Sequence, residues 1–320
     1  MKQFWFAISL FAGSLFVSNI ASAEDSSEAM LQQMNSASQS LSYELAYINI
    51  TKQGIESLRY RHAIFNKQLL SQLLQMDGPR REVLLRGNEI SYFEPGLEPF
   101  TLNGDHIVDA LPSIIFSDIK QLRQYYNFIS VGRTRVADRP CEVIRIVSRD
   151  GLRFSYIVWI DESSKLPLRV DLLDRDGETL EQFRVISFTV GDQVTAAMSS
   201  LAQLTLPPLL KLPATDKVDF SWRTSWLPQG FKEVSRSRRT LPTLSEPVES
   251  RLYSDGLFSF TVNISSAASG AAVSEQFLRQ GRRTIHTETR NNVDITVVGE
   301  LPPATAKRVA NSIVLDGRKS

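Results

Sequence analysis

Apolar residues recur along this chain with two different spacings, and each predicts a different element. In SSEAMLQQMNSASQSL (26–41), Met30, Leu31, Met34, Ala37 and Leu41 fall three and four positions apart, the spacing of one helical face. From residue 41 the period shortens to two. LSYELAYINI (41–50) alternates, and ESLRYRHAIF (56–65) brings Leu58, Tyr60, His62 and Ile64 to one side of a strand. Runs of the same kind follow: EVLLRG, EISYFEP, CEVIRIVSR, RFSYIVWID, PLRVDLLD and TLEQFRVISFTV. Between them stand Asp77-Gly78, Gly87-Asn88, Asn103-Gly104, Asp150-Gly151 and Asp176-Gly177, residues that tolerate the positive φ of hairpin turns. The pattern predicts an antiparallel meander. One insert, LPSIIFSDIKQLRQYY (111–126), carries a helical stripe of Ile115, Ile119, Leu122 and Tyr126. A sheet of about ten strands curls or closes. Residues 24–205 are therefore expected to form a mostly β first domain with a few helices laid on the sheet.

Residues 206–217 are proline-spaced, with Pro207, Pro208 and Pro213, and predict an extended, semi-rigid linker. SWRTSWLPQGF (221–231) follows directly. It predicts the opening of a second unit anchored by Trp222, Trp226 and Phe231, with a β-turn over Leu227–Gly230. Within 218–320 the stretches 231–240, 248–256, 257–265, 282–290 and 293–300 read as strands. AAVSEQFLRQG (271–281) reads as a short helix stopped by Gly281. LPPATAKRVANSIVL reads as a closing helix with proline in its first turn and Ala306, Val309, Ala310 and Ile313 inward. The second domain is expected to be a smaller α+β unit.

The amino terminus changes the setting. A positive Met1-Lys2-Gln3 start, the apolar run 4–17 and small residues at Ala21 and Ala23 form a secretory signal pattern, with cleavage expected after Ala23. Export and a soluble mature chain are expected. With one cysteine, Cys141, no intrachain disulfide can form, so the core must hold the fold. Composition alters little: 42% hydrophobic, 22% charged and a formal net charge of +1 describe a globular protein with no field that would recruit nucleic acid.

Catalytic chemistry leaves no trace. His62, His106 and His286 are far apart, a single cysteine supplies no zinc cluster, and no nucleophile elbow, Walker or Rossmann pattern occurs. No cofactor or metal is expected, and the chain reads as a non-enzyme. In DLLDRDGETLEQ (171–182), Leu172 and Phe183 occupy positions where a calcium loop needs oxygen, so Asp-Arg-Asp-Gly reads as a hairpin turn. Two candidate surfaces remain. Tyr43, Leu45, Tyr60, Leu84, Tyr92, Phe116, Ile119 and Trp159 either line an apolar cavity between sheet and helices or fill a core. Arg236, Arg238, Arg239, Arg251, Arg282 and Arg283 either share a face that binds carboxylates or anionic head groups, or are simply solvated.

MDGPRREVLLRGNEISYFEPGLEPFTLNGD (76–105), YYNFISVGRTRVADRPCEVIRIV (125–147), YIVWIDESSKLPLRVDLLDRDGETLEQFRVISF (156–188), SWLPQGF (225–231), RLYSDGLFSF (251–260) and VVGELPPATAKRVANSI (297–313) together resemble the MucB/RseB family of periplasmic regulators of the sigma-E envelope stress response. The resemblance spans essentially the whole chain. It implies a first domain like the lipoprotein carriers LolA and LolB, an unclosed β-barrel with helices in its concavity, followed by a smaller α+β domain. It implies binding to the periplasmic part of a membrane-spanning anti-sigma factor of the RseA/MucA type. That binding would shield the partner from site-1 proteolysis and yield to a lipid signal such as lipopolysaccharide or another acylated ligand. Self-association is left open. The competing reading is a periplasmic lipid or lipoprotein carrier. The family has no catalytic motif, so no residue roles transfer with it.

Overall fold

The computed structural model describes residues 15–211, 219–240, 247–267 and 275–315, with side chains from Asp25 onward. The signal segment therefore falls largely outside the described residues, as does the side chain of Ala23. Helix α1 (Leu15–Ser40) includes the predicted helical face. Leu31 and Met34 are fully buried, and Met30, Ala37 and Leu41 pack against the same core.

The chain then forms β1 (Tyr43–Thr51), β2 (Gly54–Phe65), β3 (Gln68–Gln75), β4 (Glu82–Arg86), β5 (Glu89–Phe93) and β6 (Phe100–Asn103). A connection with a 3-10 turn (Ser113–Ile115) and the short helix α2 (Ile119–Leu122) leads to a second meander. It comprises β7 (Tyr126–Val136), β8 (Arg139–Ser148), β9 (Ser155–Asp161), β10 (Pro167–Leu173) and β11 (Thr179–Val190). Pairing of β1 with β11 joins the two meanders into one antiparallel sheet, in the order β6-β5-β4-β3-β2-β1-β11-β10-β9-β8-β7. Among the described residues β6 and β7 remain edges, so the barrel is unclosed. Helix α3 (Asp192–Met198) packs Val194 and Met198 on Ala63 and Leu70, on the side of β2 and β3 opposite Tyr60 and Leu73.

The expected helix over 111–126 is broken. Ser117 leaves the helical path, the Asp118 side chain caps a new turn by accepting from Gln121 N at 3.2 Å, and Tyr126 already belongs to β7. The Asp174–Gly177 turn is a hairpin, as expected: the Asp174 carboxylate accepts the amides of Asp176 and Glu178 at 3.0 and 2.9 Å.

Residues 207–210 do not hang free as a linker. Thr101 N donates to Pro208 O at 2.9 Å, Leu210 N donates to Thr101 O at 2.8 Å, and the Thr101 hydroxyl donates to Pro207 O at 2.8 Å. The chain leaving the first sheet thus turns back along the β6 edge. The rest of the expected linker, from 212, lies outside the described residues.

The second sheet has the order β13-β14-β15-β18-β17-β16. A two-stranded pair of β12 (Trp222–Thr224) with the last strand precedes β13 (Lys232–Arg239), β14 (Val248–Ser254), β15 (Ser259–Ser266), β16 (Glu275–Gln280), β17 (Arg283–Arg290) and β18 (Val293–Gly299). Helix α4 (Pro303–Asn311) and β19 (Ile313–Leu315) close the fold. Ala306, Val309, Ala310 and Ile313 are buried as predicted, with proline in the first turn of α4. The expected helix over 271–281 is a strand where it is described. Residues 275–280 pair with β17, and Gly281, at φ 58, makes the tight turn between them. A glycine tolerating positive φ serves a helix stop and a hairpin equally well, so its presence did not discriminate. The 221–231 turn is also shifted by one residue. Phe231 N donates to Pro228 O, placing Gly230, at φ 87, in the third turn position.

Candidate functional site

Strand register decides which predicted cavity residues share a face. Opposite Tyr43, Leu45 and Tyr47 stand His62, Tyr60 and Leu58, and beyond Tyr60 the row continues through Leu73 and Val83 to Tyr92. Tyr43, Leu45, Tyr60 and Tyr92 therefore lie on the concave side, with α1 and α2. Leu84 does not. It pairs with Gln72 and Ser91, one step out of phase, and points to the opposite side, where Ser91 and Thr101 join hydroxyls at 2.9 Å. Trp159 is also on the outer face. It pairs with Arg169 and Val143, and the Arg169 guanidinium lies over its ring at 4.3 Å. Tyr43, Leu45 and Ile119 are core residues, Tyr43 being tied to α1 by a 3.0 Å bond from its hydroxyl to Ser38 O. Tyr92 stacks on Phe100 near the β6 edge.

Two of the eight, Tyr60 and Phe116, border a cleft of about 460 Å³. His62, Leu69, Leu85 and Ser38 are among its other walls, and Lys67, Asp105 and His106 stand with them. His62 is buried, and its Nδ1 donates to Leu41 O at 2.8 Å, which leaves Nε2 as an acceptor on a neutral ring. Burial lowers its pKa, only partly offset by the Leu41 bond. Burial raises the Tyr60 phenol to about 12, and its hydroxyl is committed to Ser71 at 3.2 Å. The inner wall therefore carries no fixed charge, while Lys67 and Asp105 are exposed. This suits an apolar chain with a polar end.

A second feature joins the two sheets. The β14–β15 hairpin of the second sheet inserts Leu257 and Phe258 into the core, with Phe258 stacked on Tyr156 at 5.5 Å and edge-on to Phe154 at 6.2 Å. Asp255, 1% exposed, accepts from Tyr126 Oη at 2.6 Å and from Arg153 Nε at 2.7 Å, and its other oxygen takes the amides of Leu257 and Phe258. Arg153 further donates to Asp150 at 2.7 Å and to Gln229 O, and lies between the rings of Tyr126 and Phe231. Burial works against its charge, but Tyr126, Asp255 and Asp150 together hold its pKa above the usual arginine value. Burial, followed by the Asp255 carboxylate, drives the Tyr126 phenol well above its ordinary value. Gly230 sits against this joint, where a Cβ would fall 2.7 Å from the Tyr125 ring.

The six arginines form no common open face. Arg236, Arg238 and Arg251 join a network with Glu233 and Glu249, beside Phe220 and Trp222. Trp222 is buried and donates to Glu249 at 2.8 Å, so these cations support the anchor residues. Arg239 is exposed at the end of β13. Arg282 reaches the first sheet, pairing with Asp109 and Glu181 as well as with Glu300 at 3.1 Å, and Arg283 approaches Asp109 at 3.7 Å. Arg282 and its acidic partners Asp109 and Glu181 line part of a small cavity of about 190 Å³, with Leu111, Val170 and Phe183 among its other walls.

Among the described residues no group of His, Cys, Asp and Glu is arranged to hold a metal ion, and no helix is long and apolar enough to cross a membrane. Cys141 is buried, which raises its thiol to about 11 and makes it a small core residue.

Family models place this architecture. The MucB/RseB N-terminal domain model matches residues 26–209, and the MucB/RseB C-terminal domain model matches residues 216–314. The chain belongs to the MucB/RseB family. It is 66% identical to the sigma-E factor regulatory protein RseB of Escherichia coli K12 over 98% of both chains. It is 30% identical to the sigma factor AlgU regulatory protein MucB of Pseudomonas aeruginosa over 95% of both. Among solved structures, the Pseudomonas aeruginosa MucA/MucB complex superposes with a TM-score of 0.72 at 28% identity, covering 91% of this chain and 99% of that one. A crystal structure of MucB gives 0.55 at 26% identity, over 92% and 98%. Both are MucB/RseB proteins, so the shared fold extends through both sheets. Family resemblance and periodicity alike missed Arg153 and Asp255, and periodicity put Tyr126 only on a helical stripe, not at this joint. Asp255-Gly256 between the runs 248–256 and 257–265 reads in the sequence as a hairpin turn, which does not reveal that Asp255 plugs one sheet into the other.

Proposed function

We propose that this chain is a periplasmic negative regulator of a sigma-E-type stress response. It binds the periplasmic domain of a membrane-spanning anti-sigma factor, withholds it from site-1 proteolysis, and releases it when an acylated ligand such as lipopolysaccharide enters the cleft of the first sheet. The observation that carries the reading is the 66% identity to RseB across 98% of both chains, set beside a relative crystallised with its partner MucA. Residues 24–205 serve as the lipid-sensing domain and 218–320 contribute to partner binding. A carrier has no use for a second sheet whose hairpin is buried in the first, and this favours regulation over transport.

Release requires that lipid and partner prefer different arrangements, because a ligand shifts an equilibrium only by its differential affinity. This chain superposes more closely on the MucA/MucB complex (0.72) than on a separate MucB crystal structure (0.55), so the two MucB structures are not alike in shape. The test is titration of the protein with the periplasmic domain of its anti-sigma factor, with and without lipopolysaccharide, alongside site-1 cleavage of that domain. Tight binding that protects the domain and weakens with lipid is expected. Absence of binding, with stoichiometric lipid uptake, would favour the carrier reading.

A further inference from the structure

The cleft and the hairpin joint meet at two successive residues. Phe116 forms part of the cleft wall, stacked on His106 at 4.9 Å. Ser117, next in the chain, is 6% exposed and faces the other way: its hydroxyl lies 2.9 Å from Gly256 O, at the tip of the β14–β15 hairpin. The same hydroxyl lies 2.9 Å from Ser113 O. A hydroxyl has one proton, so it can serve one acceptor fully or share between two. The Ser117 carbonyl in turn accepts from Asn35 of α1 at 2.5 Å. Gly256 immediately follows Asp255, whose carboxylate gathers Tyr126 and Arg153.

We propose that Phe116–Ser117 is the relay between the lipid cleft and the second sheet, a reading that rests on the cleft being the acyl site. A chain entering between Phe116 and the β2–β4 wall displaces the Phe116 backbone. Ser117 then turns its single proton wholly to Ser113 O, and Gly256 loses its partner. The hairpin tip loosens at the joint that sets the position of the second sheet. A side-chain rotation of Phe116 alone would leave Ser117 in place, so the relay demands a backbone shift. That is the property to measure.

The experiment follows amide hydrogen exchange at Leu257 and Phe258, whose N–H groups are held by Asp255, on adding purified lipopolysaccharide. Lipid uptake is measured separately in the same samples. In the unaltered protein, uptake should speed exchange at both amides and weaken anti-sigma binding by roughly 5- to 150-fold, the usual range of coupling between sites. In Ser117→Ala these amides should exchange faster without lipid, and added lipid should change them and the partner affinity by no more than about twofold, well below that range. Ser117→Thr, which keeps the hydroxyl, should restore the lipid response. Uptake with no change at Leu257 and Phe258, or an Ala variant with the full lipid response, would overturn the relay while leaving the cleft reading intact. Failure to take up lipid at all would remove both.

Discussion

Several ion pairs connect the sheets, Arg279 with Asp174 among them, and two invite direct comparison. Arg153 and Asp255 have side chains 0% exposed, whereas Arg282 meets Asp109 with 17% and 53% exposure. Their chemistry is the same: a guanidinium from one sheet and a carboxylate from the other. Burial separates their consequences. In water, an exposed pair gains little over its solvated partners and is screened by salt. Inside, each charge has already lost its water, so removing either one strands the other. Around the buried pair, Tyr126, Asp150, Gln229 O and two aromatic faces supply contacts that water no longer does.

Arg153→Ala should break the contrast most sharply, costing about 3–5 kcal/mol in chemical denaturation because Asp255 is left buried and unpaired. A loss below about 1 kcal/mol, the range of exposed pairs, would mean that the joint opens to water in solution. Tyr126→Phe removes one bond to a charged acceptor and should cost about 1.5–3 kcal/mol at neutral pH. It also carries a pH signature. The Tyr126 phenol has its folded pKa raised above 10, so its contribution is fully present below pH 10 and is lost as pH rises further. Tyr43, Tyr47, Tyr60 and Tyr156 are raised by burial too and titrate in the same direction, so the difference between variant and parent is the quantity to follow. The variant should lose less stability than the parent above pH 10. Asp109→Ala should have the smallest effect, about 0–1 kcal/mol, shrinking further at high salt. A salt-insensitive loss as large as that of Arg153→Ala would erase the distinction between the joints.

How much of this was legible depended on whether a strand has one buried face or two. In β1 and β2 burial alternates, and Tyr43, Leu45 and Tyr60 share the concave side, a parity that period two makes legible. In β4, Val83, Leu84 and Leu85 are all buried, because the returning chain covers the outer side near Thr101. Alternation was lost there, and nothing local could say which way Leu84 pointed. Trp159 lies between buried Val158 and Ile160, and its size suggested the core, yet the stripe of Val158 and Ile160 left it the outer face beside Arg169. The arginines failed for another reason. Parity put Arg236 and Arg238 on one side of β13 but could not show Glu233 and Glu249 already waiting there. Pairing partners distant in sequence are what period and composition do not encode.

The strip of chain along β6 has a practical meaning for anyone dissecting the molecule. A sheet edge with unpaired amides and carbonyls is an invitation to intermolecular strand addition. Residues 207–210 occupy part of that edge at Thr101. A fragment cut at residue 205 would bare it and is expected to aggregate, whereas one carried through 211 keeps its own cover and is the better starting point for studying the first sheet in isolation.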